Sequence, residues 1–182
     1  MLHFSKPMFR QLLALMMLVI ALPTFATVKN IKPGTAFIAL EPTKEHTMTT
    51  QQVLNTLVRG HYESKKIDDD LSSHVLDLLL KDLDSTHSYF LASDIKEFEK
   101  YRYKLDDALK RGDMRPAFFI YNRFQQRVNE RLTFLLNELE KNAANYTYDT
   151  DERLELDREN AEWAKKTAEL DDLWRKRLKN SI

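Results

Sequence analysis

The sequence predicts an all-α protein, an irregular bundle of about five amphipathic helices with one long helix near residues 114–142. The first observation is compositional: the 182 residues include only 3 Gly and 5 Pro, too few for the tight turns of a strand-rich fold. The second is that apolar residues recur at spacings of three and four along much of the chain. Because 43% of the residues are hydrophobic, composition also excludes a disordered chain.

The first 26 residues differ in character from the rest and predict a cleaved signal peptide. Lys6 and Arg10 form a basic start, and an unbroken apolar run follows over residues 12–22. Residues 24–26 then place small side chains at the −3 and −1 positions of a cleavage site, so the mature chain is expected to begin at Thr27. An uncleaved membrane anchor and a buried helix are the alternatives, but a membrane-spanning helix needs about 20 apolar residues.

The next part of the chain predicts an irregular arm followed by two helices. Residues 27–48 contain helix-breaking Pro and Gly and show no period, so we expect an arm there. A first helix is expected from Thr49 to Gly60 or Tyr62. A second follows the acidic start at residues 68–70, which suits the positive end of a helix dipole. Its apolar stripe comprises Leu71, Val75, Leu78 and Leu79, widened by Leu76 and Leu80.

A third helix is expected to open at Ser93 and Asp94 and to end at Gly112 in a left-handed conformation. Its apolar residues also recur at helical spacing: Ile95, Phe98, Tyr101, Leu105 and Leu109.

The long helix is the clearest of the predicted elements. Asp113 is expected to cap it, and Pro116 lies in its first turn, where proline is tolerated. Burying the apolar stripe offsets only part of the entropy lost in ordering so long a helix, so the stripe is expected to dock on other helices. The stripe consists of Phe118, Tyr121, Phe124, Val128, Leu132, Leu135 and Leu139.

The remaining chain predicts a polar crossing over residues 143–166 and a last helix beginning at Thr167. Basic residues at 175–177 suit the negative end of that helix. No C-cap precedes Ile182, so the element is expected to continue in a longer protein. The last helix has a stripe of its own: Leu170, Leu173, Trp174 and Leu178.

Charge and cysteine content exclude several classes of protein. The formal net charge is zero, with 28 basic and 28 acidic residues. Lys6 and Arg10 lie in the leader, which leaves the mature chain with 26 bases against 28 acids. That balance argues against a nucleic-acid partner and gives no reason for adhesion to an anionic membrane. The absence of Cys excludes disulfides, thiol catalysis, thiolate metal sites and lipoprotein acylation.

A search for catalytic and metal-binding patterns assigns no catalytic, cofactor-binding or metal-binding residue. No serine lies in a glycine-rich elbow, and three isolated Gly cannot form a phosphate-binding loop. Three acids, Asp149, Asp151 and Glu152, lack the ligand ladder of a calcium loop. Four histidines are separated by 15, 13 and 13 residues, which matches no local zinc motif. They are His46, His61, His74 and His87.

Asp84 and His87 flank a predicted turn before Tyr89 and Phe90. Two interpretations remain open: a catalytic Asp–His pair, or a structural turn in which His87 bonds to nearby backbone and the aromatic residues enter the core. The structural interpretation is favoured because Asp and Ser commonly start turns.

One segment points to a known family. Residues 83–98 read LDSTHSYFLASDIKEF, which resembles the opening domain of tail-specific proteases, also called carboxy-terminal processing peptidases. The residues HYESKKID at 61–68 and ELDDLWRKRLK at 169–179 are similar to two further segments of that family. Together the resemblance covers roughly residues 49–180. The matching residues of the first segment are Leu83, Asp84, His87, Phe90, Leu91, Ser93, Asp94 and Phe98.

The resemblance implies a periplasmic endopeptidase that cuts proteins near their C-termini with a serine nucleophile and a lysine base. A PDZ module recognises the substrate tail, and the N-terminal helical domain is a scaffold that contacts an adaptor lipoprotein of helical repeats. Substrates include cell-wall enzymes. The PDZ domain and the serine and lysine motifs lie beyond these residues, so no catalytic residue is carried over and the chain alone is expected to be inactive.

Two other functions remain open from the sequence. The first is a stand-alone periplasmic helical binding or chaperone-like protein. The second is a small metalloenzyme built on the histidines, which the histidine spacing does not favour.

Overall fold

The computed structural model describes residues 37–60 and 66–182, and over these ranges the fold is all-α as predicted. The predicted leader, most of the arm and His61 lie outside the described residues. No strand is found in the described ranges, although Leu91 and Ala164 form one isolated parallel bridge. Six α-helices lie within these two ranges: α1 Lys44–Gly60, α2 Asp69–Asp84, α3 Ala92–Phe98, α4 Leu105–Arg111, α5 Arg115–Lys141 and α6 Thr167–Ser181.

Helix α1 begins at Lys44, five residues before the predicted start at Thr49. The arm prediction was therefore wrong for residues 44–48. The Nδ1 atom of His46 accepts a 2.9 Å hydrogen bond from the Thr43 amide, so the imidazole caps a free amide at the helix start. Preceding it, Leu40 exchanges two 2.9 Å hydrogen bonds with the Asn122 side chain of α5.

Helix α2 carries the most buried face of the bundle. Its start is as predicted, because Asp68 caps it by accepting a 3.2 Å bond from the Leu71 amide. The predicted stripe is wrong at Leu78, which is 46% exposed, whereas Leu76 and Leu80 enter the core. The row that faces inward has a spacing of four and places buried polar residues at its ends: Ser72, Leu76, Leu80 and Asp84.

The third predicted helix is interrupted. Helix α3 begins at Ala92, and a 3₁₀ turn at Glu99–Tyr101 separates it from α4. The Leu105 amide donates a 2.8 Å bond to the Ser72 hydroxyl of α2 rather than continuing the helical ladder. This contact from another helix redirects the chain and carries Leu105 into the core.

Gly112 ends α4 in the left-handed conformation that the sequence predicts, with φ 67°. The position also requires a residue without a side chain. A Cβ atom here would lie 2.8 Å from Cγ2 and 2.9 Å from the carbonyl oxygen of Thr47 on α1. The glycine therefore both terminates α4 and allows α1 to approach it.

Helix α5 spans 27 residues, close to the predicted range. Its N-cap is Met114 rather than Asp113, although Asp113 Oδ1 accepts a 3.1 Å bond from the Arg115 amide. The predicted stripe docks only in part: Phe124 packs against the core, whereas Tyr121, Leu132 and Leu139 are exposed. The fully buried positions of this helix are Ile120 and Arg131.

The polar crossing returns the chain to the bundle as an extended segment after a 3₁₀ turn at Ala143–Asn145. The Ala92 amide bonds to the Ala164 carbonyl at 2.9 Å, which fixes the end of the crossing beside α3. Helix α6 starts at Thr167 as predicted and buries Leu170 and Leu173. Among the described helices, none is both long and apolar enough to cross a membrane.

Candidate functional site

The loop between α2 and α3 contains the central part of the 83–98 segment. It closes on the carboxylate of Asp84, which is 2% exposed. Oδ1 accepts a 2.8 Å hydrogen bond from the Ser88 amide, and Oδ2 accepts 2.9 Å bonds from the Tyr89 and Phe90 amides. Both carboxylate oxygens are thus committed to the backbone, and they direct the Phe90 ring into the core.

The side chain of His87 joins this loop to the crossing rather than to the Asp84 carboxylate. Its Nδ1 atom bonds to the carbonyl of Ala161, and its ring stacks on Trp163 with a centroid separation of 3.6 Å. The backbone of His87 has φ 47°, a left-handed conformation that histidine adopts more readily than most residues. These contacts fit the structural interpretation of the pair, except that the backbone partner of His87 is distant in sequence.

Asp94 is the second buried acid of the motif and lies in the first turn of α3, with no exposed surface. Arg127 of α5 binds it through two atoms, at 2.8 and 2.9 Å, and Arg123 of α5 binds Oδ1 as well. The Leu91 amide donates a further 2.9 Å bond. The paired arginines compensate a carboxylate that would be costly to bury alone.

Burial and pairing act in opposite directions on the pKa of Asp94. Burial alone would raise the pKa, but the hydrogen bonds from Arg127, the Leu91 amide and Arg123 outweigh it. The result is a pKa below the usual value of an aspartate. Asp94 is therefore held as a charged anchor between α3 and α5, which is a structural use of the carboxylate.

Arginines on α5 extend this network to the last helix. Arg123 also pairs with Glu97 at 2.9 Å, and Arg131, which is 3% exposed, pairs with Asp171 of α6. Sequence reasoning missed these arginines as buried partners. The signal that could have found them is their spacing of four, because Arg123, Arg127 and Arg131 share a helix face with Ile120.

The acids considered for calcium have other partners or lie exposed. Glu152 pairs with Arg175 and with Lys179, the latter at 2.7 Å. Hydrogen bonds from these two bases lower its pKa from 4.5 to about 2. In residues 37–60 and 66–182, no group of three or more His, Cys, Asp or Glu side chains is arranged to hold a metal ion.

Two apolar helix faces lie uncovered in the described residues. On α1, Val53, Leu57 and Val58 are each more than half exposed. On the C-terminal half of α5, exposure is 42% for Leu132, 46% for Leu136 and 48% for Leu139. Exposed apolar side chains that share one helix face make these two faces candidates for contact with a partner.

Two of the three segments that suggested a family meet in the structure. Trp174 of the 169–179 segment donates a 2.7 Å hydrogen bond from its indole Nε1 to the carbonyl of Ser88 in the 83–98 segment. Its ring also lies 5.2 Å from that of Tyr89. Residues 53–182 match the family model described as the tail specific protease N-terminal domain. The chain belongs to the tail-specific protease family.

A curated relative agrees with this family assignment. The Tail-specific protease of Haemophilus influenzae is 36% identical over 163 residues, which cover 89% of this chain but only 23% of the relative. The chain thus spans about a quarter of the relative's length and corresponds to one domain of a larger protein of this family.

Proposed function

We propose that this chain is the N-terminal scaffold and partner-binding part of a periplasmic serine endopeptidase that cleaves proteins near their C-termini. The match of residues 53–182 to the family's N-terminal domain carries the proposal. In this account the nucleophile, the lysine base and the PDZ module belong to other parts of the parent protein.

The chemistry of the described motif supports a holding role. Both oxygens of Asp84 bind backbone amides, and Asp94 binds two arginines. Ser88 donates its hydroxyl to the Thr86 carbonyl at 2.9 Å, and the Ser72 hydroxyl accepts the Leu105 amide. A catalytic serine needs a base within hydrogen-bond reach, whereas the Ser88 hydroxyl bonds within a turn and the Ser72 hydroxyl holds the start of α4.

The apolar faces of α1 and α5 support a role in contacting partners. We include three partner classes in the proposal: the PDZ and peptidase domains of the parent, a helical-repeat lipoprotein adaptor, and cell-wall enzymes as substrates. The same faces also favour the alternative of a stand-alone periplasmic binding or chaperone-like protein, because either role needs an accessible apolar surface.

Expression in Haemophilus influenzae lacking its Tail-specific protease tests the proposal. The complete gene product and residues 1–182 are expressed separately, each with an exported reporter that carries either an apolar or a charged C-terminal tail. We expect the complete product to degrade the apolar-tailed reporter and to spare the charged one, with no degradation by residues 1–182.

Degradation by residues 1–182 alone would contradict the proposal, because it would require a nucleophile within this domain. If the complete product is folded and exported but degrades neither reporter, the stand-alone alternative is favoured. Fractionation with a periplasmic marker enzyme in the same cells tests localisation and signal cleavage, and recovery of the protein with Met1 intact would contradict the leader prediction.

A further inference from the structure

A second apolar row runs along α5, separate from the face that enters the core. Its residues alternate spacings of three and four, which is the heptad pattern of a helix that pairs with another helix. One polar residue, Gln125, interrupts the row. The full row is Phe118, Tyr121, Gln125, Val128, Leu132, Leu135 and Leu139.

The row occupies a different side of the helix from the core contacts. At 3.6 residues per turn, it is centred about 100° around the axis from Ile120 and Arg131. Those two residues are 0% and 3% exposed, whereas Tyr121 and Leu132 are 37% and 42% exposed. Helix α5 therefore buries one face in its own domain and leaves a second face partly exposed in the described residues.

The N-terminal half of the row already lies near described chain. The Asn122 side chain holds the backbone of Leu40, and the His46 ring contacts Phe118 with centroids 5.1 Å apart. In the C-terminal half, Leu132 and Leu139 are exposed within the described residues, whereas Val128 and Leu135 are half-buried. We call this half, together with the adjacent exposed Leu136, the lower seam. It consists of Val128, Leu132, Leu135, Leu136 and Leu139.

The side of the lower seam that faces away from Ile120 and Arg131 carries no charge along most of its length. Asn129, Thr133 and Leu136 occupy the positions beside the row. In paired helices such flanking positions often carry the charges that select a partner. An uncharged edge instead suits a partner helix that presents an apolar row of its own and whose position does not depend on charge pairs.

The size of the lower seam decides which partner fits. Its exposed parts amount to roughly 200–300 Å², taking each side chain as about half covered. A stable interface between separate proteins buries about 800 Å² per partner. A patch this small suits contact within one polypeptide, where the effective concentration of the second helix is on the order of millimolar.

We propose that the lower seam of α5 packs against an amphipathic helix from another part of the same longer polypeptide. This inference rests on the proposed function, in which the chain is one domain of a larger protease. The relative's length supports it, because 77% of that protein lies outside the matched region, which covers 23% of it.

Cysteine accessibility in the complete gene product tests the inference. The chain has no Cys, so Leu136→Cys introduces a single reporter thiol within this domain. Asn137→Cys is the matched control, since that residue is exposed and lies on a different side of α5. The alkylation rate at each site is followed by peptide mass spectrometry, with urea-unfolded protein as the reference for intrinsic reactivity.

We expect the thiol at position 136 to react at least about tenfold more slowly than the thiol at 137, since a packed interface opens only rarely. This protection should persist on 100-fold dilution. Contact within one polypeptide does not depend on protein concentration, whereas association between separate chains does. Equal rates at the two positions in folded protein would overturn the inference. Protection that disappears on dilution would also overturn it and would identify a second copy as the partner.

Peptidase activity of the same preparations separates the two proposals. An active product with an open thiol at position 136 refutes the seam contact and leaves the proposed function intact. A folded product without activity refutes the proposed function, and the inference about the seam fails with it.

Discussion

The indole of Trp174 and the carbonyl of Ser88 are joined by a 2.7 Å hydrogen bond across 86 residues of sequence. Ser88 is fully buried, and its own amide binds Asp84. Helix α6 is therefore fixed to the same loop that Asp84 closes. This contact explains how two short motifs, widely separated in the chain, belong to one structural unit.

Two replacements of Trp174 should distinguish the contribution of its hydrogen bond to stability from the contribution of its packing. Trp174→Phe keeps an aromatic ring and should lower the free energy of unfolding by about 1 kcal/mol. Trp174→Ala removes the ring and should cost about 3 kcal/mol. Urea denaturation measures both changes, with Tyr103→Phe as an exposed control expected to change little. Equal stability of the Phe variant and the parent would show that the indole hydrogen bond contributes nothing.

Removing the Asp94 carboxylate should be the most damaging single change in the motif. Asp94→Ala leaves Arg127 and Arg123 without a buried partner, and loss of one member of a buried ion pair costs about 3–5 kcal/mol. The matched control is Glu97→Ala, which removes a partly exposed partner of Arg123 and should cost less than about 1 kcal/mol. Thermal and urea unfolding compare the two variants, and equal losses would contradict the buried-anchor account.

Gly112 should tolerate no side chain. Gly112→Ala combines strain at φ 67° with contacts of 2.8 and 2.9 Å to Thr47, so we expect a loss of about 1–3 kcal/mol. Thr47→Ser in the same protein removes Cγ2 but leaves the carbonyl contact, so it should restore stability only in part. Limited proteolysis within α1 provides the local measurement, and full rescue would contradict the steric explanation.

Acid should weaken the contact between the crossing and α6 through Glu152. Because its folded pKa is about 2 and its usual value is 4.5, the stabilising effect is present above pH 4.5 and is lost as the pH falls towards 2. Glu152→Gln should flatten the dependence of the melting temperature on pH in that window. Asp149→Asn, at an exposed acid, is the control. An unchanged acid slope in Glu152→Gln would exclude this ion pair as a contributor.

The sequence predicted a helix end correctly where residues within a few positions of that end determine it. Asp68 caps α2, Gly112 ends α4, and α6 begins at Thr167 because these features depend on residues a few positions apart. The interruption before Leu105 was not predictable from its own segment. It depends on a hydroxyl of Ser72, which lies 33 residues earlier.

The buried face of α5 was mispredicted for a physical reason. Apolar periodicity treats arginine as solvent-facing, whereas Arg127 and Arg131 are drawn inward by acids on α3 and α6. The apolar row was consequently assigned to the core although Leu132 and Leu139 are exposed. The predicted signal peptide lies outside the described residues and stays a prediction.

The central claim is that these residues hold a protease together and do not break bonds. The most direct measurement incubates purified residues 27–182, and separately the complete gene product, with a peptide that ends in apolar residues. Mass spectrometry then follows the peptide. The account predicts an intact peptide with residues 27–182 and cleavage near its C-terminus by the complete product. Cleavage by pure residues 27–182, at a rate proportional to their concentration, would contradict it.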